Sequence, residues 1–229
     1  MSVNRFNCSG ATTRGLVRIA FPGDDGTELP MSQIVGGPDW MNTMQFNIAA
    51  TTAPGATLTP AQARGPVRVL LEDRFKLRAH MEARPFPVYA LVKARNDGSL
   101  GPQLRPFTTD CAPMPKEAPS LPTPRGFPNE RPCYGGISRA GTILSFNATM
   151  KDLARSLTTF NGDNRIVVDR TGLSGKFELE VRWSTDAAQA SDQPPLVTAI
   201  QEQLGLKLEP RTEALPAVVI DHVEQPEPN

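Results

Sequence analysis

The chain has 229 residues, enough to bury one large core or two small ones. Its 24 lysines and arginines balance its 24 aspartates and glutamates, so no net field draws in nucleic acid or an anionic membrane over long range. No apolar run approaches the roughly 20 residues that a bilayer crossing needs. The best stretches, Ala90 to Val92 and Ala217 to Ile220, are strand-length, so the chain reads as not membrane-spanning. Its start, Met1 to Phe6, has neither the basic n-region nor the apolar h-region of a secretory signal. That pattern fits a cytoplasmic chain, or an exported one whose signal lies outside this sequence.

In chain order, the first half reads as helix, two strands, helix, two strands. Thr12, Leu16 and Arg18 belong to the first helical segment, and Ile34-Val35 and Phe46 to Ala50 supply the strands. Thr59-Pro60-Ala61-Gln62 is a helix start, with Thr59 as N-cap, Pro60 at the first position and Gln62 at the third. Gly65-Pro66 then predicts a short first turn, a kink, and a second helical piece from Val67 to Asp73. Phe75 to Leu77 and Pro87 to Val92 follow as strands.

Between the halves lies the densest part of the 23 prolines, from Pro102 to Pro132. Proline lacks the amide hydrogen and fixes φ, so this run is expected to be an extended surface linker. Cys111 and Cys133 bracket it. A disulfide there would close the loop and restrict the unfolded chain, worth roughly 3 kcal/mol, and only in an oxidising compartment. Two free thiols are the alternative. Cys8 has no evident partner and reads as a small apolar residue.

The second half repeats the plan. Thr149 and Asp152 have the spacing of a capping box, and Leu153 and Leu157 fall on one helix face. Arg165 to Asp169 is a β-branched run, followed by a turn from Thr171 to Gly175. Phe177, Leu179, Val181 and Trp183 alternate with Glu178, Glu180 and Arg182, the period of a half-buried strand. Pro194 and Pro195 open a helix striped by Leu196, Ala199, Ile200 and Leu204, and Gly205 stops it. Leu206 to Glu209 and Ala217 to Val223 form a final strand pair.

One alignment register links the halves. Phe75-Lys76-Leu77 falls on Leu206-Lys207-Leu208, Glu82-Ala83 on Glu213-Ala214, and Pro85 on Pro216. Val88 meets Val219 and Val92 meets Val223, while Phe46, Ile48 and Ala50 meet Phe177, Leu179 and Val181. With a small shift, Thr12, Leu16 and Arg18 meet Thr149, Leu153 and Arg155, and Ile34-Val35 lies near Ile166-Val167. The expected class is therefore α+β, two divergent copies of one helix-strand-strand-helix-strand-strand module joined by a proline-rich linker. The expected boundaries are 1–100 for the first module, 101–140 for the linker and 141–229 for the second.

Several phrases resemble a family of exported proteins of unknown function that is expanded in soil bacteria. They are Gly36-Gly37-Pro38-Asp39-Trp40 leading to Phe46-Asn47-Ile48, Asp73 to Leu77 with Pro87 to Leu91, Val168 to Gly175, and the tail from Gln201 to Leu208 and Val219 to Glu224. The resemblance implies a secreted or periplasmic protein with a signal peptide, a cysteine pair around a proline-rich insert, and no established activity. Some members resemble the outer part of membrane metallopeptidase sensors. Each half is also similar, more weakly, to the short periplasmic modules at the front of secretins and TonB-dependent receptors. Two departures stand out: no first strand precedes Arg5-Phe6-Asn7, and Gly65-Pro66 falls where members read as continuously helical.

Candidate chemistry is sparse. His80 and His222 are the two histidines, at non-equivalent positions and without a second ligand at metal spacing. Ser138 in Gly135-Gly136-Ile137-Ser138-Arg139-Ala140-Gly141 fails as a nucleophile elbow, because Ala140 stands where the second glycine belongs. Acidic residues cluster at Asp24-Asp25, Glu72-Asp73 and Glu178 with Glu180, which surface positions explain as well as acid-base chemistry does. Trp40, Phe46, Phe75, Tyr89, Phe177 and Trp183 read as core, with ligand stacking conceivable at Trp40 or Trp183. No catalytic, cofactor or metal residue is assigned. The leading expectation is an extracytoplasmic binding or interaction protein that meets another envelope protein or a small ligand, through strand edges or a cleft. The alternatives are a hydrolase with a carboxylate-based site between the modules, and a sensor domain for a membrane metallopeptidase.

Overall fold

The computed structural model describes residues 5–51, 60–110, 135–185 and 192–227. They form a mixed α/β structure with several sheets and five α-helices. The chain divides into two compact units: residues 1–86 with 213–229, and residues 87–212. Each has its own apolar core.

In unit 1, β1 (Arg5–Thr12) pairs antiparallel with β3 (Gln45–Thr51), with a bulge between Cys8 and Ala11. The Thr12 side chain accepts from the Gly15 amide, 3.2 Å, and so starts α1 (Thr13–Ala20). A 3-10 turn over Met31–Gln33 leads into β2 (Ile34–Gly36), and α2 (Trp40–Thr43) precedes β3. α3 runs unbroken over Pro60–Arg74 with Pro66 inside it, so the kink expected at Gly65-Pro66 does not split the helix. The reason lies in which face these residues occupy. Gly65 and Pro66 are exposed, while Ala63, Val67 and Leu71, at one-turn spacing, are buried in the core. Packing of that stripe outweighs the one hydrogen bond that proline forfeits.

In unit 2, β7 (Thr142–Ala148) pairs antiparallel with β9 (Phe177–Arg182), again with a bulge, between Ser145 and Ala148. β5 (Leu104–Pro106) flanks β9 and β6 (Gly136–Arg139) flanks β7, so both ends of the proline-rich stretch supply strands. The Thr149 and Asp152 capping box is present in both directions and starts α4 (Met150–Phe160). β8 (Ile166–Asp169) follows it. The alternation along β9 is as expected, with Phe177, Leu179, Val181 and Trp183 buried. α5 (Leu196–Ala199) opens after Pro195, continues as a π-helical turn over Ile200–Leu204, and ends at Gly205 with φ 69°. A side chain at Gly205 would lie 2.5 Å from the Gly101 nitrogen, so glycine is demanded by both conformation and space.

Each expected terminal strand pair is instead one continuous strand: β4 (Arg78–Lys93) and β10 (Leu206–His222). Pro85, Pro87, Pro210 and Pro216 do not interrupt them. Proline's φ is compatible with extended chain, and the residue before each proline is itself driven out of the helical region. In unit 1 the strand order is β2, β10, β4, with β2 parallel to β10 through Ile34 opposite Val218. In unit 2 it is β10, β4, β8, with β8 parallel to β4 through Ile166 opposite Val88.

Candidate functional site

The sequence-derived candidates do not assemble into a reaction centre. His80, half exposed on β4, places Nδ1 2.9 Å from Asp221 Oδ2 and Nε2 3.4 Å from Glu82 Oε2. The Asp221 carboxylate, and then Glu82, raise its pKa above the usual histidine value, against a small opposing effect of desolvation. Arg84 in turn holds Glu82 below the usual carboxylate range, helped by His80. His222 pairs separately with Glu224, 2.8 Å. One member of each acidic cluster is engaged locally: Asp25 accepts from Thr27, Glu72 pairs with Arg68, and Glu180 pairs with Arg182. Ser138 is an exposed residue of edge strand β6. No group of three or more histidine, cysteine, aspartate or glutamate residues could hold a metal ion among the described residues. Cys111 and Cys133 lie outside the described residues.

Trp40 stacks on Phe75 at 6.4 Å between ring centroids, in the unit 1 core, and Phe46 meets Phe75 edge-on at 5.1 Å. Trp183 behaves differently. It is buried at the end of β9, yet one of its surfaces lines a cavity of about 690 Å³ within unit 2. That volume is in the range of small-molecule sites.

The cavity is built by the last turn of α4, the end of β9 and the start of α5. α4 contributes Thr159 and Phe160, and the turn after it contributes Asn161, Gly162 and Asn164. Phe160 and Trp183 tilt against each other with centroids 5.8 Å apart. Ser184 and Thr185 continue the wall from β9, and Pro195, Leu196 and Val197 face it from α5. Ser184 donates its amide to Pro194 O, 2.9 Å, which fixes the approach of these two segments. Tyr89 of β4, Leu208 of β10 and Ala140 complete the lining.

No charged residue lines the cavity among the described residues. Asp163, between the lining residues Gly162 and Asn164, is paired with Arg165. Tyr89 donates its hydroxyl to Asp163, 3.1 Å, while Arg165 lies 3.6 Å from Asp163 and 4.6 Å from the centre of the Tyr89 ring. Asn161 donates Nδ2 to Arg165 O, which fixes its amide and leaves Oδ1, fully covered, with no hydrogen-bond partner. Leaving such an acceptor unsatisfied costs about 1–3 kcal/mol. A cavity of this size with an aromatic wall can hold a small molecule.

Sheet edges are the other place where a partner could bind, and several are engaged. Arg14 sends its guanidinium to Ile34 O and Gly36 O on β2. On β8 the Val167 amide donates to Thr158 Oγ1, 2.9 Å, which donates to Ala154 O, 3.0 Å. Beyond β5, the Gln203 side chain takes the place of a strand against β9: its Oε1 accepts from Arg182 N, 2.9 Å, and its Nε2 donates to Arg182 O, 2.8 Å. These side chains consume the groups that an added strand would need.

Sequence reasoning named Trp183 for stacking but missed Phe160 and Asn161. The one available signal was the Asn161-Gly162-Asp163-Asn164 run, which reads as a turn and does not announce what it faces. Fold and site together define a mixed α/β protein whose second unit carries an aromatic-walled cavity. No helix among the described residues is long and apolar enough to cross a membrane. The chain belongs to the DUF3738 family of proteins of unknown function, matched over residues 16–223. No curated protein and no solved structure matches it.

Proposed function

We propose that this is an extracytoplasmic binding protein whose second unit takes a small molecule in the Phe160–Trp183 cavity. The observation that carries the reading is a cavity of about 690 Å³ with an aromatic wall formed by Phe160 and Trp183. Capture of a small molecule is favoured over strand addition because Arg14, Thr158 and Gln203 occupy the edges of β2, β8 and β9. Export is supported by the resemblance and by the cysteine pair around the proline-rich stretch. Mass labelling of thiols before and after reduction tests it: Cys111 and Cys133 are expected to be protected until reduced, and ready labelling of both in the exported protein would overturn the disulfide.

The Trp40→Phe variant makes Trp183 the sole indole, so its emission reports the cavity directly. A chemically diverse small-molecule set is expected to contain compounds that shift this emission and raise Tm, with both effects weakened by Phe160→Leu. A set spanning sugars, aromatics, peptides and lipids that moves neither signal would refute the binding reading.

The same proposal extends to how the protein is organised. We read the two halves as copies of one module that have exchanged the ends of their last strands. Support comes from the matching order strand, helix, strand, strand, helix, strand, from the bulge before each capping threonine, and from the reciprocal pairing of β2 with β10 and β8 with β4. In an unexchanged copy the expected strand pair would fold back as a hairpin. Opening that hairpin at Pro85-Phe86-Pro87 turns two strands into one long one, which accounts for β4 and β10.

A further inference from the structure

We infer that the unit 2 cavity takes a flat aromatic molecule; this rests on the binding reading above and names its ligand class. Folding covers apolar surface, and a cluster of such surface left uncovered marks where another apolar body fits. In unit 2 that surface is concentrated. Among the described residues, six partly buried hydrophobic side chains pack on the unit 2 core, and four of them, Tyr89, Phe160, Leu196 and Leu208, line this cavity. Val197 of α5 lines it too and is 57 % exposed, so a ligand there removes from water an apolar side chain that the fold itself leaves wet.

The rings say what shape fits. Tyr89, Phe160 and Trp183 bring three aromatic side chains from separate segments to one cavity. Phe160 and Trp183 meet at a 52° tilt with centroids 5.8 Å apart. A third ring stacked on one of them is therefore inclined to the other, and stacked and inclined contacts are the arrangements aromatic pairs prefer. A saturated ring or an alkyl chain gains the burial without these contacts. The Tyr89 ring is also set in place before a ligand arrives, because its hydroxyl donates to Asp163, 3.1 Å, and Arg165 lies 4.6 Å from its centre.

The test is a calorimetric titration of the full chain, with Tm as a second readout. The probes are 2-naphthol, its saturated counterpart decahydro-2-naphthol, octanol as an alkyl chain, and maltose as a sugar. The first two share one carbon skeleton and one hydroxyl, so their difference isolates the flat aromatic ring. 2-Naphthol is expected to bind and raise Tm, at least about tenfold more tightly than decahydro-2-naphthol. Phe160→Leu keeps the apolar volume and removes one ring. It is expected to bring the two compounds within about threefold of each other, a change of preference that general loosening of the fold does not produce. Val197→Asp alters an exposed position that the fold does not depend on, and is expected to weaken 2-naphthol at least about fivefold with Tm of the free protein unchanged. 2-Naphthol binding that ignores both substitutions would place the ring elsewhere and overturn the inference. Decahydro-2-naphthol, octanol or maltose binding as well as 2-naphthol, or in its stead, would overturn the aromatic class and leave a small-molecule site standing. Silence from all four probes would overturn the aromatic class, and silence from the wider compound set as well would take the binding reading with it.

Discussion

Leu91 and Val218 give the sharpest test of the exchanged strands. Leu91 is on β4, in the N-terminal half of the sequence, yet it is fully buried in the core that contains Leu153, Leu157 and Leu204. Val218, on β10 near the C-terminus, is fully buried among Leu16, Val17 and Leu71. Truncating a buried leucine to alanine costs about 2–5 kcal/mol; taking about 3 kcal/mol, local opening rises by roughly a hundredfold. Val218→Ala removes fewer atoms, and about 2 kcal/mol corresponds to roughly thirtyfold. Amide hydrogen exchange followed by mass spectrometry separates the units, since peptides from α1 and α3 report unit 1 and peptides from α4 report unit 2. Leu91→Ala is expected to speed exchange in α4 and leave α1 unchanged, and Val218→Ala is expected to do the reverse. If Leu91→Ala loosens α1 and α3 instead, the assignment of β4's second half to unit 2 is wrong, and the exchanged-strand reading falls with it.

Gly205→Ala meets both an unfavourable φ of 69° and backbone atoms at 2.5 Å, whereas Gly172→Ala meets only a φ of 68° in open space. Gly172→Ala is expected to cost about 1 kcal/mol and Gly205→Ala about 2–4 kcal/mol in urea unfolding read by Trp183; equal costs would show that the Gly101 contact relaxes freely. His80, with its pKa raised chiefly by the Asp221 carboxylate, contributes stability below about pH 6.5 that fades as pH rises through its folded value. Its NMR titration is expected to move down toward 6.5 in Asp221→Asn, and an unchanged midpoint would contradict the pairing. Burial pushes the Asp152 carboxyl up, but hydrogen bonds from Thr149 prevail and its pKa is lowered, so its contribution holds above about pH 4 and is lost as pH falls through the folded value. Thr149→Ala is accordingly expected to cost about 1 kcal/mol at neutral pH by urea unfolding, and no measurable loss would mean the cap is idle.

What the sequence made legible was local. The Thr149 cap, the alternation from Phe177 to Trp183 and the stop at Gly205 each depend on a few neighbouring residues, so pattern and chemistry specify them without knowledge of the rest. What escaped depended on distant partners. Pro66 reads as a breaker until the buried stripe of Ala63, Val67 and Leu71 is seen, and Pro85 and Pro87 read as punctuation until β8 and β10 flank the strand they occupy. The cavity was hidden for the same reason. Phe160, Trp183 and Pro195 come from three separate segments, and nothing in their local sequence says that they share a wall. The fit of Gln203 to the Arg182 backbone is a side chain acting as a strand, for which no sequence period exists.

The discontinuity of unit 1 has a consequence for how the protein is made. Unit 2 is one uninterrupted stretch, 87–212, and can close its core as soon as that stretch has left the ribosome. Unit 1 cannot. Leu16, Val17 and Leu71 are synthesised before unit 2, but Val218 and Ile220, which share their core, are synthesised after it. The earlier part of unit 1 therefore waits until 213–222 has been made, and that segment acts as a latch that closes its core.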